Sequence, residues 1–161
     1  MTAVGFENHD HTRCIDTGVK AVVARCAEQS LQLTPVRQRV IELLLSDHRA
    51  MGAYEILDVL REEGLGSQPP VAYRALDFLV RHGFAHKIEQ LNAFVACCHP
   101  GETHAPVFLI CRHCDAVVET ETSPTEGQLG AAVKAAGFKI EQAVLEIAGI
   151  CPNCQTQEAS A

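Results

Sequence analysis

The sequence predicts an α+β protein, with a winged helix in the N-terminal part and a smaller α/β unit built around a four-cysteine zinc site. Three observations carry this. Apolar residues recur at helical spacing through the first 83 residues. The period then shortens to two in FAHKIE and NAFVAC, residues 84–97. Further on, two CxxC pairs bracket a stretch that reads strand, helix, strand.

The helices come first. TGVKAVVARCAEQS (residues 17–30) puts Val19, Val22, Val23, Cys26 and Ala27 on one stripe, as an amphipathic helix requires. Thr34-Pro35 has the form of an N-cap followed by a proline at the first helical position, where no N–H is needed. Val36, Val40, Leu43 and Leu44 make the next stripe. A third helix is expected over 53–63, with Ile56, Leu57 and Leu60 inward and Gly64 as its C-cap. A fourth opens at Pro69-Pro70, buries Ala72, Leu76, Leu79 and Val80, and stops at Gly83.

The two short strands that follow are joined by a turn near Gln90-Leu91-Asn92. Helices followed by a β-hairpin are the order of a winged helix. HPGETHAP (99–106), with two prolines and a glycine, reads as a linker. Beyond it lie a strand at 107–111, a strand at 116–120, a helix at 124–136 and a strand at 138–148. Ser123-Pro124-Thr125-Glu126 matches a capping box for that helix, and QTQEASA at the end reads as a frayed tail.

The composition narrows the function classes. Of 161 residues, 47% are apolar and 20% charged, a globular balance. No apolar run reaches the length of a membrane span, and the N-terminus lacks the order of a secretory signal. A cytoplasmic protein is expected, in which eight cysteines favour metal over disulfides. The net charge of −7 is uneven: residues 98–161 hold three basic and eight acidic side chains, while residues 32–97 hold seven and eight. The acidity therefore lies away from the helices that would meet phosphate.

Cys111-x-x-Cys114 and Cys151-x-x-Cys154 are the strongest chemical signal. A two-residue spacer lets both thiolates of a knuckle face one ion, and two knuckles complete a tetrahedron. Neither pair is expected to open a helix, as a redox dithiol would. One closed, structural zinc site is the reading. A second set is expected where the two parts meet: His86 in the first wing strand, Cys97 ending the second, His104 beyond the linker and Glu119 after the first knuckle. Two imidazoles, one thiolate and one carboxylate suit zinc, and the thiolate disfavours hard cations. A site drawn from both parts is the reversible one, since its occupancy fixes their relative orientation. That makes two zinc ions per subunit. Tyr73, Arg74, Asp77 and Arg81 share the polar face of the fourth helix, which is either a solvated face or one that enters a major groove.

LTPVRQRVIELL, AYEILDVLREE, PPVAYRALDFLVRHGFAHKIE and the spacing of the CxxC pairs together resemble the ferric uptake regulator family. YRALDFL–GFAHKIE with Cys97 resembles its zinc uptake regulator branch. The resemblance spans roughly residues 17–155. It implies a homodimer with a winged-helix DNA-binding part (1–97), a hinge (98–106) and a dimerisation part (107–161). It also implies a palindromic, AT-rich operator in double-stranded DNA, and repression of zinc uptake genes when zinc is bound. Carried onto this chain, the structural zinc falls on Cys111, Cys114, Cys151 and Cys154, and the regulatory zinc on His86, Cys97, His104 and Glu119. Tyr73 and Arg74 match base-contacting positions, and Tyr54 a position near the DNA.

This chain departs from the family's pattern in places. Val71-Ala72 stands where the family shows Thr-Val, and HAP stands at 104–106 in place of an HxH element. Cys98-His99 goes beyond the pattern and offers a ligand in exchange for Cys97 or His104. The competing functions are an iron or peroxide sensor of the same family, a zinc hydrolase or deaminase, and a zinc store. No enzymatic activity is expected, because the HxE spacing of a zinc deaminase is missing.

Overall fold

The computed structural model describes Phe6, residues 10–47 and residues 49–159, without the side chains of 158 and 159. Four helices come first: α1 (His11–Glu28), α2 (Pro35–Leu45), α3 (Ala53–Glu62) and α4 (Pro69–Arg81). The hairpin β1 (Ala85–Ile88) and β2 (Ala93–Ala96) follows. The remainder is β3 (Pro106–Cys111), β4 (Val117–Glu121), α5 (Gly127–Ala135), β5 (Leu145–Gly149) and α6 (Pro152–Ala159).

Local chemistry sets the helix ends. Thr34 Oγ1 accepts the N–H of Arg37 at 3.3 Å, and Pro35 opens α2. Glu55 reaches back to the N–H of Gly52 at 2.7 Å to start α3. At the end of α4, Gly83 adopts φ +72°, and Phe84 N–H returns to the Leu79 carbonyl at 2.8 Å. That left-handed residue turns the chain directly into β1. Asn92, at φ +46°, closes the hairpin turn. The hairpin pairs His86 with Val95 and Ile88 with Ala93.

In the second sheet β3 lies between β4 and β5, antiparallel to the first and parallel to the second. One rung runs Glu119–Phe108–Glu146 across the three strands. Residues on one rung project to the same face, so this row is presented as a unit.

Two apolar clusters organise the packing. The larger joins α1 to α4 through Val22, Cys26, Val40, Ile56, Leu60, Leu76 and Leu79. The smaller crosses between the parts: Ile88 and Val95 of the hairpin meet Phe108, Ile110 and Val117 of the sheet. Phe108 is 0% exposed, so the wing sits down on the sheet. The stretch 98–106 is tied to the helical part: Gly101 N–H donates to the Gly83 carbonyl at 3.1 Å, and Arg25 lies 3.5 Å from Glu102.

Several boundaries differ from expectation. α1 begins at His11, because Asp10 accepts the N–H of Thr12 and starts a polar first turn that the apolar stripe does not mark. α5 begins three residues later than expected. Ser123 Oγ bonds Thr125 Oγ1 at 2.9 Å in a turn, so no capping box forms. β5 is shorter than residues 138–148. Phe138 N–H is used to close α5 on the Val133 carbonyl, and β3 offers partners only from Leu145 onward. The chain after Cys151 is helical in α6, not a frayed tail; residues 160–161 lie outside the described ones. Val23 and Val80, placed on apolar stripes, are exposed.

Candidate metal centre

Cys111, Cys114, Cys151 and Cys154 come together, with one sulfur of each within 4.8 Å of all the others. Cys111 ends β3 and Cys151 follows β5, the parallel neighbour, so the sheet itself aligns the two knuckles. Cys114 Sγ lies 3.8 Å from Cys151 Sγ. A tetrahedral ion with 2.3 Å bonds to sulfur has edges of about 3.8 Å. No disulfide joins any of the eight cysteines. Burial would raise the Cys111 thiol, but N–H groups of Cys151, Cys114 and His113 bring it down to about 6. The Cys151 N–H donates to Cys111 Sγ at 3.3 Å. Asp115, at φ +57°, bends the chain back after the first knuckle.

One expectation fails here. The second pair does open a helix, since α6 starts at Pro152. The four-sulfur cluster itself speaks against a redox dithiol: a redox pair uses two thiols, and four converge in this arrangement.

The second set also converges. His86, Cys97, His104 and Glu119 each offer one atom within 4.8 Å of the others. They come from β1, the residue just after β2, the linker and β4. Glu119 Oε1 lies 2.7 Å from His104 Nε2, 3.5 Å from His86 Nε2 and 4.0 Å from Cys97 Sγ. Cys97 Sγ lies 3.5 Å from His104 Nε2. The edges of a mixed tetrahedral zinc site are about 3.3–3.6 Å. The Glu119 side chain is 3% exposed.

The polar atoms here call for a cation. His104 Nδ1 donates to the Glu102 carbonyl at 2.9 Å, which fixes the ring so that Nε2 faces Glu119. A lone pair there would repel the carboxylate, so Nε2 holds either a proton or a metal. Burial opposes the charged ring, yet the Glu102 carbonyl and the Glu119 carboxylate raise its pKa. His86 Nε2 is buried and makes no hydrogen bond, an orphan that a bound ion satisfies. Glu119 is held down to about 2: burial works against this, and the two imidazoles with the Cys98 N–H outweigh it. The Cys97 thiol is pushed up to about 12 by burial and by Glu119. A thiol kept neutral by a neighbouring carboxylate becomes a thiolate once a divalent ion cancels that charge. The residues present fit zinc.

Cys98 and His99, the two alternative ligands, stay outside this set. Cys98 N–H donates to Glu119 Oε2 at 2.9 Å. His99 N–H donates to Cys97 Sγ at 3.3 Å, and its ring pairs with Glu121 at 3.0 Å. Their main chain orients the cluster. Sequence reasoning missed that role, because backbone donors carry no residue signature.

Tyr54 and Tyr73 are 65% and 43% exposed. They line one cleft between α3 and α4 with Arg81, Lys87 and Asn92. Arg74 and Asp77 are exposed on the same helix.

The fold and its clusters define a winged-helix protein with two sets of converging metal-ligand side chains. Residues 28–148 match the ferric uptake regulator family, and the chain belongs to it. It is 38% identical over 135 residues to the zinc uptake regulation protein of Escherichia coli (strain K12), covering 83% of this chain and 79% of that one. A zinc uptake regulator complexed with zinc and DNA has a similar structure, with TM-score 0.81 and 35% identity over 90% of this chain and 97% of that one. The holo form of XcZur, 44% identical, gives 0.76 over 88% of this chain and 99% of that one. Its apo form, also 44% identical, gives 0.52 over 89% and 99%. The arrangement described here is thus nearer to the holo form.

Proposed function

We propose that this chain is a zinc-responsive transcriptional repressor that controls zinc uptake genes. The single observation that carries the reading is the convergence of His86, Cys97, His104 and Glu119 from the wing, the linker and the sheet. The ligand types match zinc, and the relatives named for zinc uptake regulation support the same metal. A bound zinc ion supplies the positive charge that draws four donor groups to one point. His86 and Cys97 tie the wing to that point, and Glu119 ties the sheet to it. Tyr73, Arg74 and Tyr54 then meet operator DNA in the orientation the closed arrangement fixes. By linkage, operator binding tightens zinc by the factor by which zinc tightens operator binding.

Cys111, Cys114, Cys151 and Cys154 hold the second zinc ion and contribute folding free energy. The chain acts as a homodimer on a palindromic, AT-rich operator in the cytoplasm. Leu129, Phe138, Val144 and Ile147 leave apolar surface exposed, which a second copy covers. Among the described residues no helix is long and apolar enough to cross a membrane. No catalytic role is proposed, since both sets supply four protein ligands and an enzyme needs an open position. The Cys97 thiolate separates zinc from the iron- and peroxide-sensing reading.

The test is selection of duplexes from a random-sequence pool at buffered free zinc. Convergence on a palindrome only when zinc is present is expected. Equal recovery with and without zinc overturns the reading, and a preference for iron(II) over zinc moves the chain to the iron-sensing alternative.

A further inference from the structure

The wing is held to the sheet at a second place, on the opposite edge from the metal cluster. Glu146 lies on β5, on the same rung as Phe108 and Glu119. Two strand spacings separate it from Glu119, about 10 Å. Its carboxylate accepts the N–H of Glu89 at 2.6 Å and that of Gln90 at 3.1 Å. The Gln90 side-chain amide donates to the Glu146 carbonyl at 3.4 Å. Glu89 and Gln90 begin the turn of the β1–β2 hairpin. The hairpin therefore lies along one rung of the sheet. Glu119 meets His86 at one edge, Phe108 lies beneath, with the His86 ring 5.3 Å from its own, and Glu146 takes the tip at the other edge.

We infer that Glu146 is a positioning residue for the closed arrangement: a clasp on the wing tip that needs no metal and sets how much zinc the DNA-binding form requires. Three features carry this. The acceptor is charged and both its oxygens are used, the stronger kind of hydrogen bond. The donors are two consecutive main-chain N–H groups, so the contact fixes the path of the hairpin rather than one side chain. The clasp shares the Phe108 rung with Glu119, so undocking the wing breaks both together. A contact present only in the closed arrangement shifts the equilibrium toward it before zinc binds, and the zinc requirement falls by the same factor. Without the zinc cluster the clasp alone leaves the wing free to open, because partly exposed hydrogen bonds contribute modestly. This inference rests on the proposed zinc-dependent DNA binding, and one arm of its test does not.

The experiment compares the full-length zinc-loaded protein with Glu146→Ala, Glu146→Gln and, as a charge control, Glu141→Ala, a substitution at an exposed loop residue outside both metal clusters. Hydrogen exchange at the amides of Glu89 and Gln90 is read first, and needs no DNA. Faster exchange in Glu146→Ala, with Glu141→Ala unchanged, is expected. Operator binding is then titrated against buffered free zinc. The midpoint should move to roughly threefold to tenfold higher zinc in Glu146→Ala, and less in Glu146→Gln, which keeps one acceptor. Glu141→Ala measures the effect on DNA binding of losing one negative charge from the same part of the chain. An unchanged midpoint, or unchanged exchange at both amides, overturns the clasp. Absence of zinc-dependent DNA binding in every protein, parent included, overturns the functional reading instead, and the exchange arm still decides whether the clasp exists.

Discussion

His104 Nε2 lies 2.7 Å from Glu119 Oε1, joining the linker to the central sheet across fifteen residues of chain. The same ring is fixed from behind by the Glu102 carbonyl, so one nitrogen is committed and the other is aimed. Replacing His104 by alanine should leave one zinc ion per subunit in place of two, counted by elemental analysis. Secondary structure should be unchanged, and zinc-dependent operator binding should be lost. Retention of two ions would remove His104 from the regulatory set.

The four-cysteine site behaves differently, because it ties β3 to the start of α6. Cys111→Ser should lose the tightly held zinc and unfold the C-terminal part, since an ion bound only by the folded form is itself folding free energy. Strong chelators should do the same to the parent protein. Circular dichroism and a thermal melt check both, and a cooperative transition in the metal-free protein would contradict the structural role.

Zinc at the regulatory site should bind more weakly as pH falls. The metal-free Cys97 thiol, at about 12, is protonated at neutral pH, and zinc takes it as thiolate. Each ion bound therefore releases a proton, and the logarithm of the apparent affinity rises by about one per pH unit. His104, with its raised pKa, adds a second proton at the acid end, so the slope steepens there. Competition with a zinc indicator across pH 6–8 measures the slope. A Cys97→Ser variant that keeps the parent slope would exclude the thiol as its source.

Phe108 is fully buried where the hairpin meets the sheet. Phe108→Ala should destabilise by about 3–5 kcal/mol, the range for truncating a buried aromatic. It should also raise the zinc needed for DNA binding, because the same ring supports His86. A denaturant melt and a zinc titration read the two effects. Loss of stability with an unchanged zinc midpoint would mean that the packing and the metal cluster are not coupled.

Arg74 is exposed on α4, with Tyr73 beside it. Arg74→Ala should weaken operator binding by about 1–3 kcal/mol if it contacts a guanine, and relax specificity at that base pair. Zinc content should not change. A uniform loss across all sequences would assign Arg74 to phosphate instead.

Much of this was legible in the sequence because its signals are local. Pro35, Gly83 and Asn92 act on the backbone within a few residues, and each sits at the turn or helix end expected of it. The CxxC pairs announce themselves because both sulfurs of a knuckle come from one tight turn. The starts of α5 and β5 were not legible: Ser123 and Thr125 bond each other in a turn in place of a cap, and the Phe138 N–H is taken by the Val133 carbonyl at the end of α5. The helical α6 was missed because it is polar and carries no apolar stripe.

The sequence by itself determined the succession of helices, hairpin and knuckles, and the donor types available to a metal. Only the tertiary structure decided which donors meet. Cys97 enters the cluster while its neighbour Cys98 contributes a main-chain N–H, because the end of β2 turns one side chain inward and the next outward. The row Glu119–Phe108–Glu146 exists only because β3 pairs antiparallel on one side and parallel on the other. Register across strands distant in sequence depends on the packing of the whole sheet, and no local pattern of residues carries it.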